Sequence, residues 1–396
     1  MKILVVDDDA TSRLMLEVSI RKIGHEVVSA VDGQEAWEKY QAEQFPIVVS
    51  DWMMPRVDGL EFCRRVRAHP CDHYTFFILL TGRNDKESVV EGFAAGADDF
   101  VGKPFYPGEL AARIHSGERI IQLETQLSAR VKELGHVNEK MRRDLAAAAR
   151  IQVSMLPAAP PPVDAFTVAW KLKSCEDLAG DMLNVFALGP RHVGLYVLDV
   201  SGHGVSSSLL AVTLSRILSP VPSQSVLFRR SPDGKNQYEL VPPAKVLKRL
   251  NEQFPISETT GGQYFTILYG IYDLDTASFC YASAGHPQLI IQPAGAEPFV
   301  TETESMPIGF MQDETYDEHT VNLHKGDRLI LYSDGLKEAA DPDGKEFGFE
   351  RILDCLQQYK TMPLQNCIDG LVDCVLAWGA KSAPEDDISV LALEQY

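Results

Sequence analysis

Five aspartates in the C-terminal half of the sequence stand at the ends of apolar runs: Asp181, Asp199, Asp334, Asp386 and Asp387. Their contexts are Ala179-Gly180-Asp181, Asp199-Val200-Ser201-Gly202-His203-Gly204, Tyr332-Ser333-Asp334-Gly335 and Asp386-Asp387-Ile388-Ser389. Carboxylates on strand ends beside small residues are what a multi-metal site needs. Hard cations take oxygen ligands, and such a set fits Mn²⁺ or Mg²⁺ better than zinc. Glycine lets the backbone come close to an ion or a phosphate. A second acidic set, Asp7, Asp8 and Asp51, lies at the other end of the chain. Three carboxylates at one rim repel unless a cation such as Mg²⁺ holds them. Thr81 and Lys103 close two further apolar runs, and a hydroxyl and an ammonium there suit an anion forming on Asp51. This set can receive a phosphoryl group. Asp51 is the nucleophile, the cation neutralises charge, and Lys103 and Thr81 bind the product oxygens.

The elements that must position these groups follow from periodicity. Residues 1–116 alternate short buried-strand patterns (3–6, 27–30, 47–50, 76–80, 99–101) with amphipathic helical ones (11–23, 35–44, 60–68, 88–95 and one from Pro107). That alternation predicts a five-stranded, doubly wound parallel α/β sheet with ligands at the carboxyl ends of the strands. Residues 117–156 form a second segment, free of proline. Ile120, Leu127, Val131, Leu134, Asn138, Met141, Leu145 and Ala148 trace a heptad seam with Asn138 at position a. A lone Asn there favours a parallel, in-register pair, so we expect a coiled-coil linker and a parallel homodimer. A single helix packed on its own domain is the alternative. Glu124 and Gln152 weaken the seam at its ends. Residues 157–396 open on a proline cluster and are rich in strand patterns, with helical patterns at 206–218, 244–254, 349–358 and 365–378. They predict an α+β fold of sheet layers flanked by helices. The polar, proline-containing stretch 219–243 reads as a long surface loop.

A chain of 396 residues is too long for one ordinary core, so several domains are expected. The net charge of −19 argues against nucleic-acid or anionic-membrane binding, which need basic surface. Seven cysteines, at 63, 71, 175, 280, 355, 367 and 374, show no CxxC pair. They read as reduced thiols in a cytoplasmic protein. No apolar run approaches a membrane span and no signal peptide is visible.

The N-terminal constellation, with its order and spacing, resembles the receiver domain of two-component response regulators over about residues 1–116. Asp7 and Asp8 match the family's acidic pair. Asp51, in Asp51-Trp52-Met53-Met54-Pro55, matches the phosphoacceptor. Gly96-Ala97-Asp98-Asp99-Phe100 and Lys103-Pro104-Phe105 read as family signature. The resemblance implies a receiver Mg²⁺ held by Asp7, Asp8, Asp51 and the Met53 carbonyl. It also implies Thr81 as switch hydroxyl, Phe100 as switch aromatic, Lys103 as the family lysine, and a sensor histidine kinase as partner.

The C-terminal constellation resembles the metal-dependent PPM (PP2C-like) protein phosphatases of the SpoIIE/RsbU branch. Arg150-Ile151-Gln152, Met155-Leu156-Pro157, Ala284-Gly285-His286-Pro287 and Gly326-Asp327-Arg328 are further landmarks. The resemblance implies two or more Mn²⁺ or Mg²⁺ ions, with Asp199 bridging and Val200 giving a backbone carbonyl. Asp334 and Asp386 complete one shell and Asp181 stands on the other side. Asp386 is favoured as direct ligand, with Asp387 orienting it, although both belong to the candidate set. Two departures stand out: Ala179 where the family has glycine, and Asn184 where an acid is common. His203 is open between proton donor and structural residue, and His286 reads as structural. The implied activity is a phosphorylation-regulated serine/threonine phosphatase. Its implied substrate is a phosphorylated STAS-domain anti-sigma-factor antagonist in a partner-switching pathway. The competing reading is a catalytically inactive, receiver-controlled adaptor that sequesters a sigma-factor regulator. Lost carboxylates would mark it, and here they are present. A DNA-binding regulator would need a basic helix-turn-helix segment that the sequence lacks.

Overall fold

In the computed structural model the described residues are 1–70, 74–82, 86–231, 238–256, 262–380 and 384–396. Cys71 therefore lies outside them. The chain divides into two units, residues 1–140 and 141–396.

The first unit opens with β1 (Lys2–Val6), α1 (Ala10–Lys22), β2 (Glu26–Ala30), α2 (Gly33–Ala42) and β3 (Ile47–Asp51). It continues through α3 (Gly59–Ala68), β4 (Phe76–Thr81), α4 (Lys86–Ala94), β5 (Asp99–Gly102) and the start of α5 (Pro107–Val153). The strands pair in parallel in the order β2-β1-β3-β4-β5. β3 and β4 are buried at every position, as expected for strands covered by helices on both faces. Separate apolar clusters line the two faces. The order reverses between β1 and β3, and that crevice is where Asp7 and Asp51 emerge.

α5 runs unbroken for 47 residues, so the last receiver helix and the expected linker are one element. It stops at Val153, four residues before Pro157 and earlier than the sequence suggests. Leu127, Val131, Leu134 and Met141 on the heptad seam are all more than half exposed in the single chain.

The second unit starts with the end of α5, β6 (Phe166–Lys173), β7 (Met182–Ala187), β8 (His192–Val200) and α6 (Val205–Ile217). Next come β9 (Phe228–Arg230), β10 (Tyr238–Leu240), α7 (Pro243–Gln253), β11 (Phe265–Asp273) and β12 (Ser278–Ala284). The chain continues with β13 (Ile290–Gln292), β14 (Phe299–Val300), β15 (His319–Asn322), β16 (Arg328–Tyr332) and α8 (Gly335–Glu338). It ends with α9 (Gly348–Gln358), α10 (Leu364–Gly379) and β17 (Ile388–Gln395). Two antiparallel sheets, β15-β12-β11-β8-β7 and β14-β13-β16-β17-β6, pack face to face over a shared apolar core. α6 and α7 cover the outside of the first sheet. α9 and α10 cover the outside of the second. The expected α+β sandwich is what forms.

The stretch 219–243 corrects the loop expectation. β9 and β10 make an antiparallel hairpin there, and Val226, Leu227 and Val241 are buried. The apolar residues flanking the strands pin the hairpin to the core, and Pro243 opens α7, where its missing N–H costs nothing. Residues 232–237 of that stretch lie outside the described residues.

Candidate active site

Register brings the distant aspartates to one end of the sandwich. Met182 pairs with Leu198, so one step further Asp181 stands opposite Asp199. Tyr332 pairs with Val390, and the Ser333 N–H donates to the Ser389 carbonyl at 3.0 Å. That places Asp334 beside the start of β17 and hence beside Asp386 and Asp387. Because the sheets are antiparallel, the end of β8 and the start of β7 share an edge with the end of β16 and the start of β17. This topology unites carboxylates spread over two hundred residues.

Asp387 has a separate task. Its Oδ1 accepts from the Cys175 N–H at 2.8 Å, and its Oδ2 accepts from the Gly180 N–H at 2.6 Å and the Asp181 N–H at 3.4 Å. This buried carboxylate is engaged by backbone and fixes the loop that carries Asp181. Gly335 is obligatory, because a Cβ there would lie 2.2 Å from the Asp387 carbonyl oxygen. A Cβ on Gly180 would sit 3.2 Å from the Val200 carbonyl oxygen and 3.3 Å from that of Gly202, so both carbonyls approach the Asp181 turn. Gly202 and Gly204 have φ of 82° and 87°, the left-handed region that suits glycine.

The electrostatics of this cluster are severe. Burial, then the charge of Asp199, raises Asp181 well above the ordinary carboxylate range. Burial, then Asp334 and Asp386, pushes Asp199 up to about 7. Burial, then Asp386, pushes Asp334 up to about 6. Burial also raises Asp386. Asp181 and Asp199 lie within hydrogen-bonding reach of each other, and Asp181 Oδ2 is buried without a hydrogen-bond partner among the described residues. None of the five acids makes an ion pair with Lys or Arg among those residues. Carboxylates facing one another, from the buried Asp181 with its unpaired oxygen out to the exposed Asp386, fit divalent cations.

The sequence marks Gln152 as part of a landmark but does not show its task. Although it falls on the heptad seam, it is buried, donates Nε2–H to the Ala179 carbonyl at 2.6 Å and accepts the Ala179 N–H at 3.0 Å. The end of α5 thus clamps the peptide two residues before Asp181. The sequence signals are its place in the Arg150-Ile151-Gln152 landmark and a polar residue at an apolar heptad position. Asn184 turns aside: its Oδ1 accepts from the Val185 N–H and its amide reaches the Met155 carbonyl. His286 is buried, bonds Thr266 at 2.8 Å through Nδ1, and is pushed down to about 3 by burial. Asp327 accepts from the Ala294 and His324 N–H groups at the far end of β16, so that landmark is structural. His203 is exposed, with Nδ1 2.7 Å from Glu176 Oε1.

In the first unit, Asp7, Asp8 and Asp51 converge so that one oxygen of each lies within 4.8 Å of the others. Lys103 Nζ stands 2.8 Å from both Asp7 Oδ2 and Asp51 Oδ2. Asp51 Oδ1 accepts the Trp52 N–H at 2.8 Å. Burial raises Asp51, and Lys103 opposes the shift. Thr81 ends β4 beside this rim and is buried. Phe100 packs edge-on against Phe93 at 4.7 Å and near Trp52 at 6.4 Å. The Met53 side chain is exposed.

Comparison with known proteins agrees with both halves. The family model for stage II sporulation protein E (SpoIIE) matches residues 189–396, more than half of the chain. The chain belongs to the SpoIIE family. The response regulator receiver domain matches residues 3–115. The probable transcriptional regulator ycf27 of Cyanophora paradoxa is 45% identical over 115 residues, 29% of this chain and 47% of that protein. The phosphate regulon transcriptional regulatory protein PhoB of Rhizobium meliloti is 39% identical over 113 residues, 28% of this chain and 50% of that protein. The chain spans about half the length of the curated relatives it matches. Among solved structures, the SiaA-PP2C domain of Pseudomonas aeruginosa is 19% identical with a TM-score of 0.53, covering 66% of this chain and 98% of that domain. That likeness establishes the PP2C fold of the SpoIIE domain. Among the described residues, no helix is long and apolar enough to cross a membrane.

Proposed function

We propose that this SpoIIE-family chain is a metal-dependent phosphatase acting on phosphoserine and phosphothreonine of a partner protein, under control of Asp51 phosphorylation. The observation that carries the reading is the unneutralised set gathered at one edge of the sandwich, with Asp181 buried, Asp199 and Asp334 half-buried and Asp386 at the exposed mouth. With the Val200 carbonyl, these residues would hold Mn²⁺ or Mg²⁺. Bound there, the cations would shield the phosphate dianion and activate water. Asp387 orients the loop of Asp181, and Gln152 holds the peptide beside it; both are positioning residues.

In the receiver, Asp51 would accept a phosphoryl group from a sensor histidine kinase, with Asp7, Asp8 and the Met53 carbonyl holding Mg²⁺. The new charge would engage Thr81 and Lys103 and turn Phe100 inward. The exposed heptad seam of α5 supports a parallel homodimer, whose register would pass the signal along the helix. Family membership supports a phosphorylated STAS-domain anti-sigma-factor antagonist as substrate, in a cytoplasmic partner-switching pathway. The test is Mn²⁺-dependent hydrolysis of a phosphoserine peptide, with and without beryllofluoride. We expect turnover that beryllofluoride raises and that Asp199→Ala abolishes. Turnover without added metal, or equal turnover in Asp199→Ala, would contradict the assignment.

A further inference from the structure

Beside the aspartate cluster lies an apolar patch that hydrolysis of a phosphoester does not use. Ile256, Tyr264, Phe310 and Met311 are exposed by 40%, 36%, 55% and 48%. They come from three stretches of chain: the residues after α7, the residue before β11 and the loop between β14 and β15. None of them belongs to the apolar cores of the sandwich. Exposed apolar clusters mark binding surfaces, and aromatic residues and methionine are enriched where proteins meet. The patch is also firmly held. Asn251 on α7 is buried, accepts the Gly309 N–H at 2.7 Å through Oδ1 and donates Nδ2–H to the Met311 carbonyl at 2.8 Å. The Ile256 N–H donates to the Gly309 carbonyl at 3.1 Å. Gly309 has a φ of 91°, and a Cβ there would lie 2.5 Å from the Phe254 carbonyl oxygen, so the turn is pressed against the end of α7. A buried amide needs its partners, and with both made this clamp fixes the turn that carries Phe310 outward.

The strand ladder ties this patch to the aspartates. Thr266 pairs with Asp199 across β11 and β8. Two residues earlier Tyr264 extends the same ladder. Its carbonyl accepts the Ser201 N–H at 2.9 Å, and its N–H donates to Ser201 Oγ at 3.0 Å. Gln263 Oε1 accepts from Ser206 Oγ at 3.3 Å, which pins the same stretch to the start of α6. Two strand residues span about 7 Å. The Phe310 ring lies edge-on to the Tyr264 ring with centroids 5.8 Å apart. An extended segment covers that reach in about three or four residues. A phosphoserine seated at Asp199 would therefore bring its chain neighbours over the patch, whereas a second copy of this chain seated there would cover the mouth of the site.

We propose that Ile256, Tyr264, Phe310 and Met311 form a docking surface for the phosphoprotein substrate, and that this surface takes a large apolar side chain three or four residues from the phosphoserine. The proposal rests on the hydrolytic reading above and adds selectivity to it. Carboxylates and their cations would read only the phosphate, which every phosphoserine shares. The patch reads what lies beside it. Its aromatic rings supply apolar area at little entropic cost, and Met311 adapts to the shape of the incoming side chain.

The test uses the full chain with Mn²⁺ and phosphoserine peptides that carry Leu or Ser at the third or fourth residue on either side of the phosphoserine. 4-Nitrophenyl phosphate serves as a substrate too small to reach the patch. At one of these positions kcat/KM is expected to favour Leu over Ser by about 10-fold, through KM. Phe310→Ser is expected to abolish that preference and to lower kcat/KM on the Leu peptide about 10-fold relative to the aryl ester, and Phe310→Leu to restore most of both. Equal kcat/KM for the Leu and Ser peptides at every position, or equal losses on peptide and aryl ester, would overturn the proposal. So would loss of self-association in Phe310→Ser, read by light scattering, with the Leu preference intact, because the patch would then belong to a second copy. A second readout needs no turnover. In Asp199→Ala, fluorescence anisotropy of the labelled Leu peptide should show Kd raised about 10-fold by adding Phe310→Ser, and an unchanged Kd would contradict the docking surface. If the unsubstituted protein turns over neither substrate, the hydrolytic reading fails and the anisotropy alone decides the docking surface.

Discussion

The two acidic clusters of this chain solve the same electrostatic problem in opposite ways. In the receiver, Lys103 reaches both Asp7 and Asp51 at 2.8 Å, so part of the repulsion is cancelled by a covalently attached cation. In the SpoIIE domain no lysine or arginine pairs with the aspartates among the described residues, and Asp199 is driven up to about 7. On the proposed function, the first site serves an anion that comes and goes on Asp51. The second has no such counter-charge among the described residues, and the proposed divalent cations would supply it. A built-in ammonium suits a switch, because it stays when the phosphoryl group leaves. A cluster without one suits the proposed hydrolase, because Asp181, Asp199, Asp334 and Asp386 are left without a competing ammonium or guanidinium.

The largest expected effect tests the built-in cation. Lys103→Met should cut labelling of Asp51 by acetyl phosphate about 10²-fold, since it removes the fixed charge facing the developing product. Labelling at the normal rate would break the comparison. Metal should act in the opposite sense on the other unit. Adding Mn²⁺ to about 100 times its Kd should stabilise the SpoIIE domain by about 2.7 kcal/mol, read as a rise in Tm, and Asp199→Ala should erase that rise.

Gln152→Ala sharpens the same contrast. It leaves the buried Ala179 N–H and carbonyl unpaired, at about 1–3 kcal/mol each at most, and should weaken Mn²⁺ affinity by calorimetry without changing beryllofluoride binding to the receiver. Acid should also separate the units. His286 is held neutral in the fold, down to about 3 against an ordinary 6.5. The unfolded chain takes up that proton first, so its contribution is complete above about 6.5 and is lost as pH falls toward 3. Acid unfolding of the SpoIIE domain should accordingly flatten in His286→Gln, with the receiver transition unmoved.

The receiver was nearly fully legible because its chemistry is local. Each acid follows a short buried strand, and a parallel sheet sends all strand ends of that type to one rim. The SpoIIE acids were legible as types but not as a geometry. β7 and β17 carry no alternation strong enough to mark them, yet Asp181 and Asp386 are placed by the strands they precede. The task of Asp387 depends on the Cys175 and Gly180 N–H groups, more than two hundred residues away in sequence. Gln152 reads in sequence as a landmark residue and a flaw in a heptad, and neither pattern reveals which partner covers the end of a seam. The hairpin within 219–243 is not legible in sequence because its strands are three residues each, too short for periodicity to register.

The most direct measurement is anomalous diffraction at the manganese edge from crystals grown with Mn²⁺. The account predicts two strong peaks within reach of Asp199, flanked by Asp181 on one side and Asp334 and Asp386 on the other. Manganese at the receiver alone, with Asp181, Asp199, Asp334 and Asp386 still facing one another around empty density, would contradict it.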